Sequence, residues 1–128
     1  MSKLFYLFLL FLWISSCSKE AGDGGFAKIQ GKVFAYNLNK TKVIADSGYI
    51  GDQRVFISYG DHTVIDDETR TSYTGEFQFK NLNQGDYTIF TFSYCDACPL
   101  NEKAIMVKTT IKSKKELVQL SDLKIFKE

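Results

Sequence analysis

Apolar and polar positions alternate with period two along most of this chain, and the pattern predicts strands. In residues 29–36, Ile29, Gly31, Val33 and Ala35 fall on one face, with Lys32, Phe34 and Tyr36 on the other. That is the signature of a half-buried strand. Residues 42–45 predict a shorter strand. Residues 54–59 place Val55, Ile57 and Tyr59 together. Residues 69–73 form a Thr/Tyr strand of the kind β-branched side chains favour. Residues 76–80 put Phe77 and Phe79 opposite Glu76, Gln78 and Lys80. Residues 86–94 are apolar on both faces, which predicts a central strand. Residues 103–112 and 117–126 supply the last two, the second broken near Ser121. No window longer than ten residues follows helical spacing without also fitting period two. Gly60-Asp61, Thr74-Gly75, residues 81–85 and the region of Pro99 separate the strands with turn chemistry. Seven or eight short strands with polar turns predict an all-β, antiparallel β-sandwich.

The start of the chain follows a different rule. Met1-Ser2-Lys3 carries one positive charge, and Leu4 to Ile14 is an unbroken apolar run of eleven residues. Ser15 and Ser16 are small, and Cys17 follows. A charged start, a short apolar core and small residues before a processing point define a secretory signal peptide. The run is well short of the roughly 18 residues of a membrane-spanning helix. Ile14-Ser15-Ser16-Cys17 resembles the lipobox of bacterial lipoproteins. The resemblance implies that residues 1–16 are removed and that Cys17 becomes the lipid-bearing first residue. It also implies two or three acyl chains, where one alone binds a membrane only marginally. The expected organisation is a signal peptide (1–16), a lipidated flexible tether (17–26, rich in Gly, Ser and charge) and one sandwich domain (27–128). Ser18-Lys19-Glu20 also resembles a short export tag of surface-displayed lipoproteins, and reads equally as a solvated linker. The expected location is the bacterial cell envelope, at the outer membrane, on its periplasmic or surface face.

A second resemblance lies in the body of the chain. Thr71, Thr74-Gly75, Phe77-x-Phe79, Leu82, Gly85 and Tyr87-x-Ile89 form the pattern T-x-x-T-G-x-F-x-F-x-x-L-x-x-G-x-Y-x-I. It resembles the C-terminal half of carboxypeptidase-regulatory-like domains, whose immunoglobulin-type sandwich is also called prealbumin-like. Gly31-Lys32-Val33 resembles the opening of such domains, and Val55-Phe56-Ile57 their second strand. The usual proline before that second strand is absent, and residues 37–46 form an insert. The resemblance implies an accessory module without a catalytic site. Independently of it, Gly75 permits a tight turn, Phe77 and Phe79 share a face, and Gly85 reverses the chain. The hydroxyl of Tyr87 can tie a corner.

Charge narrows the partners. Only Lys3 among the charged residues precedes Cys17, so the 16 basic side chains fall to 15 and match the 15 acidic ones. A chain in balance has no long-range pull on nucleic acid or an anionic membrane. The expected partners are therefore the membrane, through the lipid, and an envelope protein or glycan. No cofactor or metal is expected.

Cys95-Asp96-Ala97-Cys98 has three readings. With Cys17 lipidated, Cys95 and Cys98 are the only pair left, and outside a reducing cytosol they predict a loop-tip disulfide. A redox dithiol would make the protein a small envelope thiol-disulfide oxidoreductase. It needs a helix N-terminus at the first cysteine, and none is predicted after Pro99. Zinc would need His62, the single histidine, beside both thiols. His62 itself reads as an exposed turn residue. Asp61, Asp66, Asp67 and Glu68 read as a solvated acidic loop with Arg70 as a partner, and residues 112–115 as a basic turn. Among Phe34, Tyr36, Tyr49, Phe56 and Tyr59 most are expected in the core. Two or more standing outside together would mark a binding surface. The leading expectation is a non-catalytic binding or assembly module.

Overall fold

The computed structural model describes residues 20–128. Residues 1–16, expected to be a signal peptide, and Cys17, expected to carry the lipid, lie outside the described residues. The described residues form nine strands: β1 (Asp23–Leu38), β2 (Ile44–Tyr49), β3 (Arg54–Tyr59), β4 (Asp67–Arg70), β5 (Glu76–Leu82), β6 (Gly85–Tyr94), β7 (Glu102–Ile111), β8 (Leu117–Gln119) and β9 (Leu123–Lys127). A 3₁₀ turn, Pro99–Asn101, precedes β7. One sheet holds β2, β1, β5, β8 and β9, and the other runs β4-β3-β6-β7. The two pack face to face as a β-sandwich.

Strand β1 is the spine of the first sheet. Its early residues pair with β5 and its later ones with β2. Its other edge takes β8 and then β9, both parallel to it. The expected all-antiparallel arrangement is thus corrected to a mixed first sheet. The reason is topological: β7 ends beside the start of β6, and the short turn after Ile111 restarts the chain in the direction of β1. The predicted last strand is two. Leu120 N–H donates to Gln30 C=O at 2.9 Å between them, and the break falls where Ser121 predicts it.

Alternation fixes the core. Ala27, Ile29, Gly31, Val33 and Ala35 of β1 are buried and their neighbours are not. Val33, Val55, Phe77, Phe79, Leu82, Tyr87 and Ile89 belong to one buried cluster with Ile57, Ile111 and Ile125. Gly31 is there for space: a Cβ would stand 2.8 Å from Phe77 Cζ and 3.3 Å from Leu120 Cβ. Gly75 holds φ +83 in the turn into β5, where its N–H donates to Ser72 C=O at 2.8 Å.

Two strand expectations shift. The strand predicted at 69–73 is β4, two residues earlier, because Thr71 is taken by the neighbouring loop. Its hydroxyl donates to Ile50 C=O at 2.6 Å and accepts Gln53 N–H at 2.9 Å. The strand predicted at 42–45 lies later, as β2. Lys42 has φ +62 and sits in the turn. The segment expected as a free tether also belongs partly to the domain. Ala21 is half-buried against the core, Gly22 is buried, and β1 already begins at Asp23. Ala21 packs on Gly85, where a Cβ would meet Ala21 Cβ at 2.7 Å.

Candidate functional site

The outward face of the first sheet is laid out in rows by register. Near the Gly22 end, Gln78, Gln30 and Gln119 stand side by side, and Gln30 Nε2 donates to Gln119 Oε1 at 2.6 Å. Lys32 and Glu76 follow, with their charges 3.8 Å apart. The next row is Tyr49, Phe34 and Lys124, and the last is Ser47, Tyr36 and Phe126.

The last two rows make one aromatic surface. Phe34 meets Tyr36 and Tyr49 edge to face, each with ring centres 5.3 Å apart. Tyr36 and Phe126 are 5.4 Å apart and tilted by 32°. Such spacings are those of attractive aromatic pairs. Tyr49 lies across β1: its hydroxyl donates to Asp122 Oδ2 at 2.8 Å, and Lys32 Nζ stands 5.0 Å from its ring. The Asp122 carboxylate, ahead of partial burial, holds the Tyr49 hydroxyl above its ordinary titration range. Tyr49 is 47% exposed and Phe126 38%. Two aromatics on the sheet face, open to solvent and edged by amides and charges, offer stacking faces with hydrogen-bonding groups beside them.

Phe126 also borders a groove of about 660 Å³ at the end of the sandwich remote from Gly22. Phe56, Phe92, Tyr94, Leu100 and Glu102 line it with Phe126. Lys42 reaches across from the β1–β2 turn, pairs with Glu128 and stands 4.7 Å from the Tyr94 ring. Glu128 first and Tyr94 second raise the Lys42 pKa.

Of the aromatics singled out from sequence, Phe34, Tyr36 and Tyr49 stand together outside. Phe56 and Tyr59 do not join them. Phe56 is 8% exposed and stacks on Phe90 on the outer side of the second sheet. Tyr59 packs against the core and meets Tyr87 at 5.7 Å. Phe126 was missed, although the period-two pattern through residues 123–126 sets it opposite Leu123 and Ile125.

Cys95 and Cys98 form a disulfide with Cα atoms 5.5 Å apart. The hairpin is closed by Cys95 N–H donating to Asn101 C=O at 2.9 Å. No α-helix starts at Cys95. The pair ends β6, whereas His62 sits beyond β3 at the opposite end of the sandwich. The zinc grouping is therefore not assembled. No group of three or more His, Cys, Asp or Glu able to hold a metal occurs among the described residues. His62 Nδ1 lies 2.9 Å from Asp66. Tyr59 N–H, which donates to Asp66 at 2.7 Å, is the main cause of its lowered pKa, and His62 adds to it. Arg70, expected to serve the acidic loop, pairs with Asp52 at 3.1 Å instead.

No protein-family model matches the chain, and no curated protein sequence matches it. Among solved structures, the chain is similar to a candidate carbohydrate binding protein from Pseudomonas aeruginosa. The TM-score is 0.47 and the identity 13%, over 84% of this chain and 92% of that one.

Proposed function

We infer that the protein is a lipid-anchored envelope module that binds a glycan chain, without catalysis, on the aromatic face of its first sheet. The observation that carries this reading is the aromatic surface of two adjacent rows, in which Tyr49 and Phe126 are exposed and Phe34 and Tyr36 half-exposed between them. Sugar rings present flat C–H faces to aromatic rings and hydroxyls to flanking polar groups. Lys32, Lys124 and Asp122 supply such groups around the rings. A sheet face open to solvent suits an extended chain better than a small molecule, which favours a closed cavity.

The anchor reading adds a direction. Cys17 precedes the docked Ala21 by four residues, a reach of at most about 14 Å. Strands of ten residues such as β6 then carry the opposite end of the domain about 30 Å further. The aromatic rows and the groove stand at that far end, turned away from the bilayer. In this reading the Cys95–Cys98 disulfide stiffens the hairpin beside the groove.

Two experiments test the two halves separately. Metabolic labelling with a radiolabelled fatty acid should mark the wild type and not Cys17→Ser, which should accumulate as an uncleaved precursor. Equal processing of both would remove the anchor. A panel of soluble envelope polysaccharides and peptidoglycan chains should give at least one ligand for the wild type. Binding that survives Phe126→Ala and Tyr49→Ala unchanged would remove the site.

A further inference from the structure

The second sheet ends in an unpaired edge. Strand β7 spans ten residues and, among the described residues, pairs with β6 alone. Asp86 C=O accepts Gly60 N–H from the β3 side, and Cys95 N–H bonds Asn101 towards β7. The odd-numbered residues of β6 therefore bond to β7. Through the pairing Ile89 with Val107, the odd-numbered residues of β7 bond back. The N–H and C=O groups of Ala104, Met106 and Lys108 point to the open edge, as does the C=O of Glu102, whose N–H is taken by Pro99 C=O. This edge is also apolar. Met106 is 60% exposed and Phe92, on the adjacent strand, 39%. Ile105 and Val107 reach the core but stay partly exposed. Long edges of this kind are pairing templates unless charge or a bulge blocks them. Here no bulge interrupts β7, and its charges sit to either side of the apolar centre.

We propose that β7 pairs antiparallel with β7 of a second copy, centred on Ile105, so that two four-stranded sheets become one of eight strands. The register follows from charge and size. Glu102 and Lys108 are equidistant from Ile105, and neither has an ion-pair partner among the described residues. A two-fold axis at Ile105 sets Glu102 against Lys108 of the second copy, twice. It sets Met106 against the small Ala104, beside the exposed Phe92. All four lie on the outer face; Ala104 and Met106 face one another with both N–H and C=O groups free, and Lys108 N–H faces the free C=O of Glu102. An interface of this kind is isologous and closes on itself. Sliding the axis by one residue, to Met106, would set Met106 against Met106 and Lys108 against Ala104, with no charge pair. The proposal does not depend on the lipid or the glycan.

The test uses the full chain in detergent, cross-linked under mild oxidation. Ile105→Cys should form a dimer through one disulfide, because opposed non-hydrogen-bonded residues bring their side chains close. Glu102→Lys and Lys108→Glu should each weaken dimerisation in sedimentation experiments, by roughly tenfold. The double variant should recover it, since it restores both pairs. A chain that stays monomeric at high concentration, or a double variant as weak as the sum of the singles, would overturn the proposal. So would capture of Ile105→Cys, in intact envelopes, by a strand of a different protein instead of its own copy.

Discussion

The hydroxyl of Tyr87 accepts the backbone N–H of Gly22 at 2.9 Å, across 65 positions of sequence. The same hydroxyl donates to Asn83 C=O at 2.7 Å, and Gly22 C=O lies 3.1 Å away. One phenol thus fixes the start of β1 to the β5–β6 corner. Tyr87→Phe should cost about 1–2 kcal/mol, the loss of a hydrogen bond plus a buried amide left without its acceptor. Urea unfolding measures it. An unchanged midpoint would mean that water replaces the hydroxyl.

The same residue gives an alkaline limit. Burial raises the Tyr87 pKa above its ordinary 10.0, against the opposing pull of its backbone partners. A group whose folded pKa is raised contributes stability that is complete below the unfolded value and lost as pH rises through the folded one. Stability should therefore fall above about pH 10. Tyr87→Phe should remove part of that slope, with Tyr59, raised chiefly by burial, supplying more.

Asp66 acts in the other direction. Its lowered pKa means its contribution is present above the ordinary 3.8 and disappears as pH falls through the folded value. Asp66→Asn should lower stability at neutral pH, where that contribution is present, and flatten the acid limb of the profile below about pH 4. Thermal unfolding between pH 2 and 7 checks this.

Period two carried most of this architecture because burial acts on every second side chain. β3, β5, β6 and β7 fall within a residue or two of the alternation read from sequence. The parallel placing of β8 and β9 beside β1 was not legible, since alternation reports a face and not a neighbour. Nor was the place of Thr71, whose two hydrogen bonds to distant backbone outweigh its β-propensity. The candidate site was half legible. Phe34, Tyr36 and Tyr49 stood out as aromatics, but only register joins them to Phe126, ninety positions after Tyr36.

Core packing gives a sharper test of register. Gly31→Ala places a Cβ against Phe77 Cζ at 2.8 Å and should destabilise by about 1–3 kcal/mol, the range for overpacking. Combining it with Phe77→Leu should recover part of that loss. Phe79→Ala, 4% exposed, should cost about 3–5 kcal/mol.

Protein purified without reductant should show no free thiol at Cys95 or Cys98 until it is reduced. Reduction should cost less than the roughly 3 kcal/mol of a fifteen-residue loop, because so short a ring restrains little of the unfolded chain. Labelling of both thiols in untreated protein would reopen the redox reading.

Calorimetric titration of soluble envelope polysaccharides into the wild type, Tyr49→Ala and Phe126→Ala addresses glycan binding most directly. Saturable binding is expected for the wild type, with a loss of about tenfold or more in each variant and unfolding transitions kept intact. Equal affinity in all three, or no glycan bound by any, would contradict it.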